Sequence, residues 1–196
     1  MTTLNRRDFM INALAAAPVL GALSGIAVAA QEKSAVPPLC VFSKHLQFLN
    51  YKELAKVCKE LGLDGVDLTV RPGGHVLPEK VKTDLPAAVD AIRAEGLEVP
   101  MITTRYVNAF DKNIRDVLVT AKEQGIPYFR IGNHTYDDNG PILPQLEKFT
   151  EELRGLAKLA EEIGMTAGYH NHSGMNNVGA PLWDLHRMYE AIGSER

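Results

Sequence analysis

Glu60–Leu68 reads ELGLDGVDL, and the same grammar returns three times. AEGLEVPMI occupies Ala94–Ile102, EQGIPYFRI occupies Glu123–Ile131 and EIGMTAGYH occupies Glu162–His170. In each, an acidic residue precedes a glycine, at Gly62, Gly96, Gly125 and Gly164, and an apolar run follows. Glycine is the residue best suited to the left-handed position just past a helix C-terminus. The four glycines are spaced 34, 29 and 39 residues apart, about one βα unit each. The phrase therefore marks the end of a helix and the start of a strand. A fifth such glycine, Gly193, follows the expected helix 182–192 just before the chain stops at Arg196.

The segments between the glycines have helical patterning. Leu54, Val57, Cys58 and Leu61 recur at i, i+3, i+4 and i+7 and predict one apolar stripe. Residues 81–95 and 111–124 repeat the style. Residues 144–163 predict the longest helix, with Leu146, Phe149, Leu153, Leu156, Leu159, Ala160 and Ile163 buried. Short runs rich in Val, Ile, Leu and Met predict strands at 39–43, 64–69, 98–103, 127–131 and 165–171. Strands alternating with helices imply an α/β fold with a parallel sheet and right-handed crossovers.

Two architectures accommodate five such units. One is a flavodoxin-like open sheet, complete at five strands. The other is a (β/α)8 TIM barrel of which about five units lie in this sequence, a full barrel needing about 250 residues. The first βα turn, SKHLQFLN, carries no glycine-rich phosphate cradle, which counts against a nucleotide-binding open sheet.

The beginning of the chain reads differently. NRRDFM precedes the apolar, small-residue run INALAAAPVLGALSGIAVAA. A charged start, an apolar core and an Ala-rich end predict a cleavable export signal over residues 1–30. Arg6, Arg7, Asp8 and Phe9 resemble the twin-arginine form, which predicts passage through the Tat export machinery to the periplasm. Residues 31–38 read as a linker, and 39–196 as the barrel domain. The 196-residue chain has a net charge of −3, which becomes −4 once residues 1–30 are removed. No basic run interleaved with aromatics exists, so a nucleic-acid partner is not expected. The two cysteines, Cys40 and Cys58, sit in apolar patterns and read as small buried hydrophobes rather than a pair.

Polar residues collect where the predicted strands end. Ser43, Lys44 and His45 follow the first. Asp67 and Thr69 close the second and lead through RPGGH to His75. Thr103, Thr104 and Arg105 end the third. Arg130, Asn133, His134 and Tyr136 end the fourth. The fifth ends in AGYHNHSG, Ala167–Gly174. Residues two apart on an extended strand share a face, so His170 and His172 are expected to point together. Imidazoles at the exit of a buried parallel strand need hydrogen-bond partners, water or a metal. Of the six histidines, only His186 falls in a predicted helix, which fits chemistry at the C-terminal rim of a barrel.

VFSKHLQFL at the first strand, the glycine-strand grammar, and GYHNHSG followed by GAPLWDL resemble the xylose isomerase-like TIM barrels, the sugar phosphate isomerases/epimerases. The similarity covers essentially 39–196 and lies closest to the branch with twin-arginine signals. It implies a divalent metal (Mn, Mg, Zn or Co) at the C-terminal mouth and isomerisation or epimerisation of a sugar by proton transfer next to a carbonyl. It also implies that His170 is a metal or substrate ligand, and that Lys44, His45, Arg130 and His172 contact a small sugar substrate. The catalytic base and the remaining ligands would lie beyond Arg196, leaving the chain as given partial or inactive. The sequence departs from the family in placing His-Asn-His where many relatives have Glu-Asn-His. Dehydration or elimination on a keto-sugar or inosose is an alternative reading. So is a non-catalytic carbohydrate-binding barrel. A homo-oligomer is left open.

Overall fold

The structure is a computed structural model that describes residues 37–194. The predicted signal segment and nearly all of the linker lie outside those residues.

Five strands form one sheet: β1 (Cys40–Phe42), β2 (Gly65–Thr69), β3 (Glu98–Thr103), β4 (Tyr128–Arg130) and β5 (Thr166–Gly168). All four pairings are parallel. Their order in space is their order in sequence. A flavodoxin-like sheet reverses direction once and puts helices on both faces. This sheet never reverses, so the sequential order excludes that alternative and matches the wall of a barrel. Five helices follow the strands: α1 (Tyr51–Glu60), α2 (Val81–Ala94), α3 (Ile114–Glu123), α4 (Ile142–Ile163) and α5 (Leu182–Ile192). Each packs against the next, as right-handed crossovers on one side of a sheet require.

The register divides the sheet into two faces. Leu68, Ile102, Phe129 and Ala167 sit side by side, and the first three are fully buried against the helices. On the opposite face, Phe42, Asp67, Met101, Tyr128 and Thr166 form one row. Thr69, Thr103, Arg130 and Gly168 form the next row, toward the C-terminal strand ends. One face is thus an apolar core and the other carries polar chemistry. Side chains alternate between the two faces along each strand, as the two-residue period of extended backbone requires.

The glycine grammar is realised in the backbone. Gly62, Gly96, Gly125, Gly164 and Gly193 all adopt left-handed φ between 62° and 78°. A second recurring device joins neighbouring units. A basic side chain of one helix donates to a carbonyl at the end of the next helix. Arg93 Nη2 reaches Gln124 O at 2.8 Å, Lys122 Nζ reaches Gly164 O at 2.6 Å, and Arg154 Nη2 reaches Ala191 O at 2.7 Å. Helix C-termini leave unpaired carbonyls and partial negative charge, and these cations satisfy both. Asn50 starts α1 with a full capping box against Glu53.

Several boundaries differ from expectation. Leu61 is exposed rather than part of the buried stripe of α1, because the helix closes at Glu60 and the chain turns outward at Gly62. The fifth strand ends at Gly168, not at residue 171. His170 and His172 therefore lie on the loop that follows the strand. The first strand ends at Phe42, not at residue 43, because a 3-10 turn, Ser43–Leu46, carries the chain on and includes His45. Both cysteines are free thiols, and burial pushes both upward from their ordinary pKa.

Candidate functional site at the strand ends

The C-terminal strand ends are tied together by short hydrogen bonds. Thr69 N donates to Ser43 Oγ at 2.9 Å, and Thr69 Oγ1 accepts from His75 N at 3.0 Å. His75 Nδ1 also lies 3.3 Å from that hydroxyl. This network locks the exits of β1 and β2, and it gives half-buried His75 a structural place. Thr104 donates from both its backbone N and Oγ1 to Arg130 O, at 2.9 and 2.8 Å, and locks β3 to β4. Beside that contact a Cβ on Gly132 would fall 2.4 Å from Arg105 O. Only glycine allows the two exits to approach so closely.

Phe42 is the centre of the group that this framework assembles. The guanidinium carbons of Arg71 and Arg130 lie 5.5 and 5.6 Å from its ring centroid, in the range of cation–π attraction. His45 meets the same ring edge-on at 5.8 Å. Arg130 Nη2 lies 2.9 Å from His172 Nε2. The guanidinium has only hydrogens to offer, so this imidazole nitrogen accepts. The rings of His172 and His170 are 4.8 Å apart. Arg130, His45 and His172 are thus gathered around one ring or its arginine, and His170 adjoins them. Lys44 is exposed on the same 3-10 turn, with no hydrogen bond or ion pair to the group among the described residues. His134 is not part of the group. Its Nε2 pairs with Glu152 Oε2 at 2.9 Å and its ring packs on Phe149, both residues of α4.

Three residues to which the sequence reading assigned no role stand at the centre. Asp67 is mostly buried, and both its carboxylate oxygens lie 2.8 Å from Thr103 Oγ1. Burial pushes its pKa up to about 6, against the opposing pull of the Thr103 hydroxyl and of Arg130 and Arg71. Arg71 has its pKa lowered by burial and by repulsion from Arg105 and Arg130. These two arginines and Arg105 line one cavity of about 280 Å3 with Thr104, Asn133 and His172. No signal in the sequence joins them; the register of the formed sheet does, setting Asp67 beside Phe42 and Arg130 beside Thr103.

The donor set for a divalent cation is incomplete among the described residues, which contain no group of three or more His, Cys, Asp or Glu able to hold a metal ion. His170 and His172 offer two imidazoles, but His172 Nε2 is already engaged by Arg130. What burial His170 has, with the positive charge of Arg130, holds its pKa below the ordinary imidazole range. The surrounding guanidinium groups oppose a cation. The residues present do not by themselves fit a metal.

A singly wound parallel sheet, helices on one face, and polar side chains gathered at the strand C-termini define a βα barrel wall. The pattern of the xylose isomerase-like TIM barrel family matches residues 55–196, and the chain belongs to that family. Among curated proteins none matches. Among solved structures, the chain resembles 3-keto-D-glucoside 4-epimerase from E. coli at 17% identity and a TM-score of 0.58, covering 74% of this chain and 60% of that one. It resembles the probable 3-DHS dehydratase of Bacillus anthracis at 13% identity and a TM-score of 0.65, covering 81% and 60%. It also resembles a xylose isomerase-like TIM barrel protein from Mycobacterium smegmatis in complex with magnesium, at 12% identity and a TM-score of 0.60, covering 81% and 62%. The chain thus spans about 60% of the length of these structures. At such identities the likeness is one of fold.

Proposed function

We propose that the protein is a sugar isomerase or epimerase that moves a proton next to a carbonyl. The observation that carries this reading is Asp67. A mostly buried carboxyl with a pKa near 6 stands beside guanidinium groups, at the strand ends of a barrel of this family. A carboxyl poised near neutrality can both take and return a proton. Arg130 and Arg71 supply fixed positive charge where an enolate oxygen would develop. His45, held edge-on against Phe42, is a candidate contact for a substrate hydroxyl. His172 and Lys44 are the further candidates for substrate hydroxyls, and His170 is the candidate nitrogen donor for a metal. A divalent metal is an expectation that rests on the family and on the magnesium-bound relative, and no step of this reading runs through it.

Export to the periplasm through the Tat machinery belongs to the same proposal and is supported by the NRRDFM start and its apolar run. Elimination is a second reading, favoured by the same carboxyl, since loss of a neighbouring hydroxyl begins with the same proton abstraction.

The test is proton exchange. The protein is incubated in D2O with D-fructose or a 3-keto-glucoside, with EDTA or with Mn, Mg, Zn or Co, and followed by NMR. Deuterium appearing next to the carbonyl is expected, with an epimeric or isomeric product. A dehydrated product would favour elimination. Absence of exchange with every substrate and metal would refute the reading.

A further inference from the structure

We propose that His134 is a positioning residue and a pH-sensitive latch: seated on α4 beside Glu152, it holds the two rim loops that carry Asn133, His170 and His172, and releases them when its imidazole takes a second proton. The inference rests on the sugar-isomerase reading and names how that same site is regulated.

The strand β5 ends at Gly168, so the loop that follows it takes its support from elsewhere than the sheet. It leans on the loop after β4. Tyr136 N donates to Asn176 O at 2.7 Å and Val178 N donates to His134 O at 3.1 Å, around an antiparallel bridge between Thr135 and Asn177. Asn133 Nδ2 reaches His170 O at 3.4 Å. The Tyr169 hydroxyl donates to Val178 O at 2.8 Å, and buried Asp184 accepts from Gly179 N at 3.0 Å. The joined loops are in turn seated on α4. At the far end, Gln145 Oε1 accepts from Asp137 N at 2.7 Å. At the near end, the His134 ring is only 5% exposed. It stands 4.5 Å from the Phe149 ring, and its Nε2 lies 2.9 Å from Glu152 Oε2.

A carboxylate only accepts, so Nε2 carries the proton of the neutral ring. Nδ1 is buried and meets no hydrogen-bond partner among the described residues. A second proton has to go there, where burial keeps it from water and no oxygen receives it. Burial holds the His134 pKa below its ordinary 6.5, with Lys148 adding to the depression and Glu152 and Asp111 opposing it. Lys148 and Glu152 face the ring from α4, and Asp111 from the loop after β3. The Tyr136 and Tyr169 hydroxyls beside it are pushed up by burial and by the Asp184 charge, so neither ionises while the imidazole titrates. Once the loops open, the ring regains its ordinary value. The open form then binds the extra proton more readily. The closed form is therefore fully favoured above pH 6.5 and loses ground as pH falls from there toward the depressed value. Mild acid thus withdraws His172 from Arg130, which it meets at 2.9 Å, and loosens one wall of the site.

The test is native-state hydrogen exchange of the whole chain, followed by NMR from about pH 8 to about pH 5, with intrinsic exchange rates divided out. The Tyr136 and Val178 amides report the ladder between the loops. The Val70 amide, which donates to Thr103 O at 2.9 Å, reports the sheet. Protection of the two ladder amides is expected to fall below pH 6.5 by up to about tenfold per pH unit, the slope of one proton, while that of Val70 does not fall. The variants are H134Q, which keeps a donor for Glu152 but cannot titrate, and H134F, which keeps only a ring against Phe149. Both should abolish the acid loss, and H134Q carries the result if H134F does not fold. The proposal is overturned if wild-type ladder protection is level with pH, if it rises toward acid, if Val70 falls in parallel, or if H134Q keeps the wild-type profile. Amide exchange requires no turnover. A protein that moves substrate protons but shows level ladder protection keeps the isomerase reading and loses the latch; one with the expected profile and no substrate exchange keeps the latch and loses the isomerase reading.

Discussion

Asp67 makes the candidate site weigh on the stability of the whole protein, and Asp67→Asn measures by how much. The carboxyl has an ordinary pKa of 3.8 and is pushed to about 6 by burial. Below about pH 4 it is protonated in both the folded and unfolded chain, and no penalty arises. Between about pH 4 and 6 the unfolded chain gives up the proton while the folded one keeps it. The folded state then binds more protons, so stability falls as pH rises. Above about 6 the loss is complete. The gap between the two values corresponds to about 3 kcal/mol.

Asparagine is close to isosteric and keeps a carbonyl oxygen to accept from Thr103 Oγ1, but it has nothing to ionise. Urea denaturation of both proteins, followed by circular dichroism from pH 4 to 8, isolates the Asp67 contribution from every other titrating group. The stability of the variant relative to wild type should rise by about 2–2.5 kcal/mol across this range, nearly all of it below pH 7, with the rest of the effect falling below pH 4. A flat difference would mean that Asp67 titrates normally. A difference of opposite sign would mean that attraction to Arg71 and Arg130 outweighs burial. Either result refutes the account of the site as a place where desolvation governs the carboxyl.

Two further outcomes test the framework around it. Gly132→Ala places a methyl 2.4 Å from Arg105 O and 2.8 Å from Val107 Cγ1; forcing the β3 and β4 exits apart should cost about 1–3 kcal/mol in urea denaturation. Unchanged stability would show that the exits are not held so tightly. Phe129→Ala empties a fully buried position at the middle of the helix-facing row and should cost about 3–5 kcal/mol in the same assay; a loss below 1 kcal/mol would contradict the packing described.

Much of the fold was written locally. The glycine after each helix requires a left-handed backbone, and that requirement belongs to the residue and its neighbours alone. The helix stripes follow from spacing in the same way: Leu146, Leu153, Leu156, Leu159 and Ala160 are buried as the 3.6-residue period demands. Strand ends were less legible. The strand at 165–171 stops at Gly168, because a strand lasts only as long as its neighbour pairs with it, and β4 ends at Arg130 opposite Gly168.

For the site, the sequence could say that polar residues follow the strands, and it could pick out the histidines by their motif. It could not say that Asp67, Thr103, Arg71 and Arg105 belong to one place, since they lie on two different βα units. Periodicity alone could not choose between an open sheet and a barrel wall, because both are built from the same units; the resemblance to the xylose isomerase-like barrels pointed to the barrel. Strand order decides that, and strand order is a matter of which distant segments pair. Local backbone preference and periodicity act over a turn or two of chain and were readable from the sequence. Register, burial of a charge and convergence of guanidinium groups depend on contacts between residues 25 to 60 positions apart, and these exist only once the sheet has formed.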